Sequence, residues 1–573
     1  MRIKHFFGLA VLAAMTASCS SNNDLVNGGN GSGENESGVS YASFSINLPT
    51  TSGTRADGTP SGSPSFDNGD KNEYAVKDAT LLLFKKDATT GKFIFQEYVD
   101  LGNMEPWTSS STSGITTTAK LTAKITKAEA GANKGYYALI VLNNNSETAP
   151  KITYPTEGQT YADWSKKADN ATADNYLKYD NGFFMANAPK YVADNTPETL
   201  VEIKNIYASK QEAENSTATT VYVERGLAKV SLASTSSEHV DISGGNYDGD
   251  KVDITGWTLD VTNKKTFPVH VTDELWKDIW KTAVTPAATN NAKMDRFHDT
   301  KLTEFPRVYW GADPNYKTNF ASVADCEGEF TMATKANFKT GEDAKKAQYC
   351  LENTFDIDHM VQGQTTRVLF SATYTPNGFN AGDTFYKMGN SSQLWNATKV
   401  EAQIKAKAME VLNETDANKV EVILTGTDLA KAGIHLITKA NVKHGTAEIS
   451  DADITAINTK LGFKAASGTD PMVGLSTFES GVSYYVARVK HFNELTPWNA
   501  GDKTYDSNNA NWLGRYGVLR NNWYELSVNS VSGPGYPDVP KVKPTDPDDE
   551  NDQYINVSVK ILSWAKRTQK VDL

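Results

Sequence analysis

The chain has 573 residues and a formal net charge of −12, from 57 Lys and Arg against 69 Asp and Glu. That balance speaks against nucleic acid as a partner, because phosphate binding needs a basic stripe and the sequence shows none. The length allows more than one core, and Thr, Ser, Asn and Gly crowd around short β-branched runs, the texture of an all-β protein.

The first stretch, MRIKHFFGLAVLAAMTASCSS, sets basic Arg2 and Lys4 before an apolar run from Phe6 to Met15, then small residues ahead of Cys19. Residues 1–18 read as a secretory signal, too short for a permanent membrane span. TASC resembles a lipobox, although Thr16 stands where Leu is commoner. Cys19 is therefore the expected lipidation site, with an ordinary signal and an incidental Cys as the plainer alternative. SSNNDLVNGGNGSGENESG follows with the composition of a tether.

SYASFSINLP (40–49) alternates cleanly, with Ala42, Phe44, Ile46 and Leu48 on one face, and so predicts a half-buried strand. A turn-rich stretch with the lone basic Arg55 in SGTRADG comes next. Strands resume with ATLLLFKK and KFIFQEYVDL, then ITTTAKLTAKI, GYYALIVLNN, FFMANAPKYV, TLVEIKNIYAS and TVYVERGLAKVSLAS. Beyond the turn-rich SSEHVDISGGNYDGDK, strands are expected at GWTLDVTNKKTFPVHV, VYWGADPNY, TTRVLFSATYTP, KVEVILTG, SYYVARVKHF and NNWYELSVNSVSG. Two helical stretches interrupt them, SSQLWNATKVEAQIKAKAMEVLNET and DADITAINTKLG. The expected layout is all-β with short helical excursions. A propeptide at 19–55 contains a removable strand, β-sandwich-like domains span 56–235 and 236–533, and a spacer with a terminal strand fills 534–573.

Little here suggests catalysis. The eight histidines stand apart in the sequence, and no zinc, nucleophile-elbow or phosphate-loop spacing occurs. Cofactor and metal are both expected to be absent. DPDDEND reads as a solvated acidic linker rather than a calcium loop. Cys326 and Cys350 are candidates for a disulfide in an oxidising compartment, a pairing that spacing leaves open.

The last strand poses the sharper problem. Ile555, Val557, Val559 and Ile561 alternate with polar residues, and Leu562 and Trp564 carry the apolar character on. Four such side chains contribute on the order of 6–12 kcal/mol when buried, so the strand must join a sheet. Either its own second domain or a neighbouring molecule takes it. A protease cutting between Arg55 and Ala56 would free the strand at 40–49 and leave an apolar groove. The spacer, read as extended chain, would reach roughly 70 Å. Head-to-tail filling of that kind does not close and grows a fibre.

The residues also carry a resemblance. TASC, SGTRADG, YYALIVLNN, VYVERGLAKV, GWTLDVTNKK, FPRVYWGADPNY, YCLENTF, VLRNNWYELSVNSV and VKILSWAKRTQKVDL are together similar to the Bacteroidales type V pilins, most of all to stalk subunits of minor (Mfa-type) fimbriae. The resemblance implies export as a lipoprotein lipidated at Cys19 and anchored to the outer membrane. It implies cleavage at Arg55–Ala56 by an Arg-specific, trypsin-like protease. It also implies donor-strand exchange through Ile555 to Leu573, with copies of itself and accessory anchor and tip fimbrillins as partners in a surface fimbria that serves adhesion. A tip or accessory fimbrillin is the near alternative. The rival of another class is a monomeric glycan-binding lipoprotein using Trp310, Trp395 or Trp498.

Overall fold

The structure is a computed structural model. It describes residues 38–49, 75–102, 115–145, 149–192, 196–233, 238–272, 307–316, 320–356, 358–467, 470–491, 513–548 and 555–563, together with Glu73, Met104, Thr108–Ser109 and Phe297. The fold is all-β, as the alternation predicts.

The first unit is one nine-stranded sheet around a single apolar core. Its main strands are β1 (Ser40–Pro49), β2 (Ala79–Lys86), β3 (Phe93–Gly102), β4 (Ile115–Ile125), β5 (Gly131–Leu142), β6 (Met185–Asn187), β7 (Val201–Ile206) and β8 (Thr219–Arg225). The order is β3-β2-β5-β6-β8-β1-β4, with β7 joined to β5 and Thr108–Ser109 to β4. β5 owes its place to the run YYALIVL: residues 138–142 are wholly buried, as befits a strand with neighbours on both sides. A short helix, α1 (Lys210–Asn215), lies over β1, where the Ser43 hydroxyl donates to the Ala213 carbonyl at 2.8 Å.

The chain crosses to the second unit at Gly226, where a Cβ would stand 2.3 Å from the Tyr176 hydroxyl. Leu227 still packs in the first core, while Ala228 and Val230 pack in the second. In the second unit, β9 (Leu227–Leu232), β10 (Lys251–Asp260), β11 (Gln348–Leu351), β12 (Arg367–Thr375), β13 (Val482–Arg488), β14 (Asn522–Val531) and β15 (Ile555–Ser563) form two sheets. One runs β11-β9-β14-β15; the other runs β10-β12-β13, with β12 in the middle. They share a core that includes Trp257, Phe370, Tyr485 and Leu526.

The two helical stretches are α2 (Ala397–Leu412) and α3 (Asp451–Lys460). They are more than excursions: Val400, Ile404 and Ala408 of α2 and Ile454 and Ile457 of α3 share a core of their own with Val420, Ile437 and Leu475. VYWGADPNY, expected as a strand, is irregular buried chain, with Val308 and Tyr309 donating to Pro189 and Phe297. Cys326 and Cys350 are free thiols, buried in different apolar clusters. Burial pushes them up to about 11 and about 12, which leaves both protonated.

Between the units lies a set of buried charges. Glu224, at the end of β8, meets His270 Nδ1 at 2.6 Å and Arg307 Nη2 at 2.6 Å. Arg520 Nε meets Glu352 at 2.9 Å on the other side, and its carbonyl also accepts from Arg307. Such pairs stabilise little on balance, because desolvation offsets attraction, yet removing one member strands a buried charge at a cost of about 3–5 kcal/mol. They therefore fix the two units in one geometry. Burial works to raise the Glu224 carboxyl, but its contacts with His270 and Arg307 outweigh it and hold the group down to about 2 against an ordinary 4.5. Its contribution is thus present above pH 4.5 and is lost as pH falls toward 2. The unfolding midpoint in guanidinium should drop between pH 5 and pH 3, and Glu224→Gln should show a lower but flatter midpoint over the same range. Equal slopes for the two proteins would remove Glu224 from the account.

Candidate functional site

The alternating stripe of β1 lies where the sequence predicts. Ala42, Phe44 and Ile46 are fully buried and Leu48 is 1% exposed. What the period of two could not reveal is the number of neighbours. β1 pairs antiparallel with β4 from Ser40↔Ile125 to Pro49↔Ile115, and parallel with β8 from Phe44↔Thr219 to Asn47↔Tyr222. It is a central strand with a ladder on each side. Ser43 is only 4% exposed, held by Thr122 and by α1 above it. Removing β1 would open a slot the length of the sheet, with unpaired donors and acceptors on both walls and an apolar floor. Burial of Phe44, Ile46 and Leu48 contributes about 5–9 kcal/mol, so the strand stays in place while it is covalently tethered.

Arg55, Ala56 and Cys19 lie outside the described residues. The chain returns at Glu73, which is anchored at the junction of the units. Its carboxylate accepts from Lys229 Nζ at 2.6 Å and from the Tyr349 hydroxyl at 2.6 Å, and its carbonyl accepts from Arg225 Nε at 2.7 Å. A cut after Arg55 would leave this anchor untouched.

The terminal strand has a different environment. β15 pairs antiparallel with β14, from Val531↔Ile555 to Asn522↔Ser563. Among the described residues it has that one ladder and forms the edge of its sheet. Of the two expected takers, its own second domain holds it in the single chain. Ile555 is buried there; the side chains at Val557, Val559, Ile561 and Leu562, and Trp564 altogether, lie outside the description.

The spacer departs from expectation. Residues 534–548 are packed onto the second unit rather than standing clear of it. Tyr536 exchanges two backbone bonds with Tyr484, the Pro540 carbonyl accepts from Arg367 Nη2 at 2.6 Å, and Val542 enters a small apolar cluster beside Cys326. Asp548 is 1% exposed and accepts from the Thr365 hydroxyl at 3.1 Å, so this part of DPDDEND is not a solvated linker. With that segment docked, only residues 549–554 separate the anchor from Ile555, a reach of roughly 20 Å.

The glycan-binding alternative loses one aromatic. Trp310 is fully buried between Phe297 and Phe355, with its indole N–H on the Phe355 carbonyl. Trp395 is half-buried against the α2–α3 core, and Trp498 lies outside the described residues. The histidines that stand alone in the sequence find carboxylates in space: His270 on Glu224, His239 on Asp253 and His444 on Glu414. No cluster of metal-ligating residues occurs among the described residues.

Comparison with known proteins then bears on the tail. Residues 476–570, which contain β13, β14, the docked spacer and β15, match the family model for the major fimbrial subunit protein type IV, fimbrillin, C-terminal. That stretch is similar to a fimbrillin C-terminus. It bears out the resemblance to Bacteroidales pilins, on the segment that carries the most specific motif. No curated protein matches the chain. Solved structures similar to it include a fimbrilin from Porphyromonas gingivalis W83, at 12% identity over 92% of this chain and 99% of that one with a TM-score of 0.35. Another is a fimbrial assembly protein from Parabacteroides distasonis ATCC 8503, at 12% identity over 62% and 93% with a TM-score of 0.28. At such TM-scores these likenesses add nothing to the family match.

Truncating the largest side chain in the slot should show how far the first unit depends on β1. Phe44→Ala is expected to destabilise the uncut chain by about 3–5 kcal/mol, read by chemical denaturation. A loss under 1 kcal/mol would mean that the groove closes without the strand.

Proposed function

We propose that the protein is the repeating stalk subunit of a cell-surface fimbria. It is exported as a lipoprotein through Cys19, cut between Arg55 and Ala56 by an Arg-specific protease, and polymerised by strand exchange to serve adhesion. Accessory fimbrillins anchor and cap the fibre. The two units form the mature body, the second beginning at Leu227 rather than at the expected 236 because β9 lies in its sheet, and 534–573 supplies the connection.

One observation carries this reading: β1 is a central strand with two ladders, and β15 is an edge strand with one. A tail that leaves its own sheet edge for a neighbour's empty slot gives up one set of backbone bonds and gains two. While β1 is tethered, its effective concentration at the slot is millimolar or higher, and no second strand competes. Cutting at Arg55 ends that advantage, because β1 then remains only with the lipid-anchored leader and dilutes away once it dissociates. The fimbrillin match at 476–570 supports the assignment from the other end of the molecule. The buried charges between the units suit a subunit that transmits tension.

Two measurements test it. The mature protein should begin at Ala56 by mass spectrometry, and Arg55→Ala should remain monomeric where the unaltered chain gives SDS-resistant ladders after protease. Deleting residues 555–573 should leave the protein monomeric at every protease dose. Undiminished ladders from either variant would refute the assembly route. An acylated Cys19 on a monodisperse mature protein would favour the monomeric lipoprotein instead.

A further inference from the structure

The basic side chains divide sharply by kind. Ten of the 57 are arginine, and Arg2, Arg55, Arg296 and Arg567 among them lie outside the described residues. Of the other six, Arg225, Arg307, Arg367, Arg488 and Arg520 are at most 5% exposed, and Arg515 is half-buried. The lysines are placed the other way: among the described residues only Lys151 and Lys229 are buried. Arginine is ordinarily a surface residue and is almost never fully buried unless paired. Its planar, weakly hydrated guanidinium explains why the buried cations are mostly arginine. It does not explain why the described surface carries lysine alone.

The peptide bonds after these arginines share the burial. Proteolytic nicking concentrates at exposed loop tips, where the chain on both sides of the bond is free to enter an active site. Arg225 ends β8 with its Nε on the Glu73 carbonyl at 2.7 Å, and Gly226 after it packs against Tyr176. Arg307 is held by Glu224, and Val308 behind it is wholly buried. Arg367 opens the middle strand β12 with its Nε on Asp260 at 2.8 Å, and Arg488 stands opposite it at the end of β13. Each is followed by a wholly buried valine, Val368 and Val489. Arg520 is held by Glu352, with Asn521 buried behind it. Arg515 is the least covered, yet its carbonyl accepts from the His491 N–H at 2.7 Å and Tyr516 behind it is buried. Lysine occupies the open chain instead. Lys345 and Lys346 stand out from the turn at 341–347, and Lys166 and Lys167 lie exposed in the loop after Ser165.

We infer, on the basis of the Arg-specific processing proposed above, that the fold closes the body to that processing enzyme at its six described arginines while leaving it open to a Lys-specific one. The protease that removes the leader can then stay beside the finished subunit without dismantling it. The protection belongs to the folded state, because the residues that follow the six arginines include no proline to block a cut. Cleavage there has to wait for the strand or junction to open, a state populated at roughly 10⁻³ or less in a stable domain.

Parallel digestions with an Arg-specific and a Lys-specific endoproteinase test this, with fragments assigned by mass and both enzymes matched in activity on the urea-unfolded chain. In urea all six arginines should be cut. On the folded chain the Lys-specific enzyme should cut the body, while cuts after the six arginines should be at least about a hundredfold slower. Lys346→Arg keeps the charge and should transfer the sensitivity, giving the Arg-specific enzyme a new cut between positions 346 and 347. Rapid cutting of the folded chain after any of the six would overturn the inference. So would a body equally resistant to both enzymes, or a Lys346→Arg chain that the Arg-specific enzyme leaves whole at 346. The bond between Arg55 and Ala56 is read in the same digest: if it survives while the six are protected, the processing route fails and the shielding stands.

Discussion

A β-strand in the middle of a sheet satisfies its backbone on two sides and an edge strand on one, and this difference organises the whole molecule. β1 holds a central place in the first unit although nothing in the covalent order requires a strand so near the start of the chain to sit there. The apolar stripe of Phe44, Ile46 and Leu48 sets its face, and the ladders to β4 and β8 set its rank. The terminal strand, with an equally apolar alternation, is left at an edge. Among the described residues the first strand thus has two ladders and the last has one, the asymmetry on which the proposed strand exchange rests.

The rest of the architecture keeps those two features apart and in register. Glu73 fastens the chain to Lys229, Tyr349 and Arg225, so the proposed loss of the leader would not propagate beyond it. Glu224, His270, Arg307, Glu352 and Arg520 fix one unit on the other. The docked spacer fixes the root of the tail at Asp548 through Thr365 and Met360, so under the proposed exchange the strand would pivot from a defined point. A short pivot constrains where the next subunit can sit far more tightly than an extended spacer would. The α2–α3 module has its own core and stands apart from this line of contacts.

Local pattern made most of the strands legible. Alternation located β1 and β15, a continuous apolar run located β5, and a period near 3.6 located α2 and α3. The failures share a cause. VYWGADPNY has the composition of a strand, but its backbone partners are scattered carbonyls rather than a ladder. The proline-rich spacer carries every sign of open chain, yet Tyr484, Arg367 and Gln362 offer partners for it. The histidines look solitary because their carboxylates lie up to tens of residues away along the chain.

The sequence by itself determined that the chain is all-β, that strands lie near both its ends, and which face of each is apolar, because these follow from composition and a period of two. It could not determine how many neighbours a strand has or which sheet receives it. Those depend on pairings between residues distant in the chain, Phe44 with Leu121 and Thr219, Ile555 with Val531, which no local pattern encodes. Only the tertiary structure made the first strand central and the last one marginal.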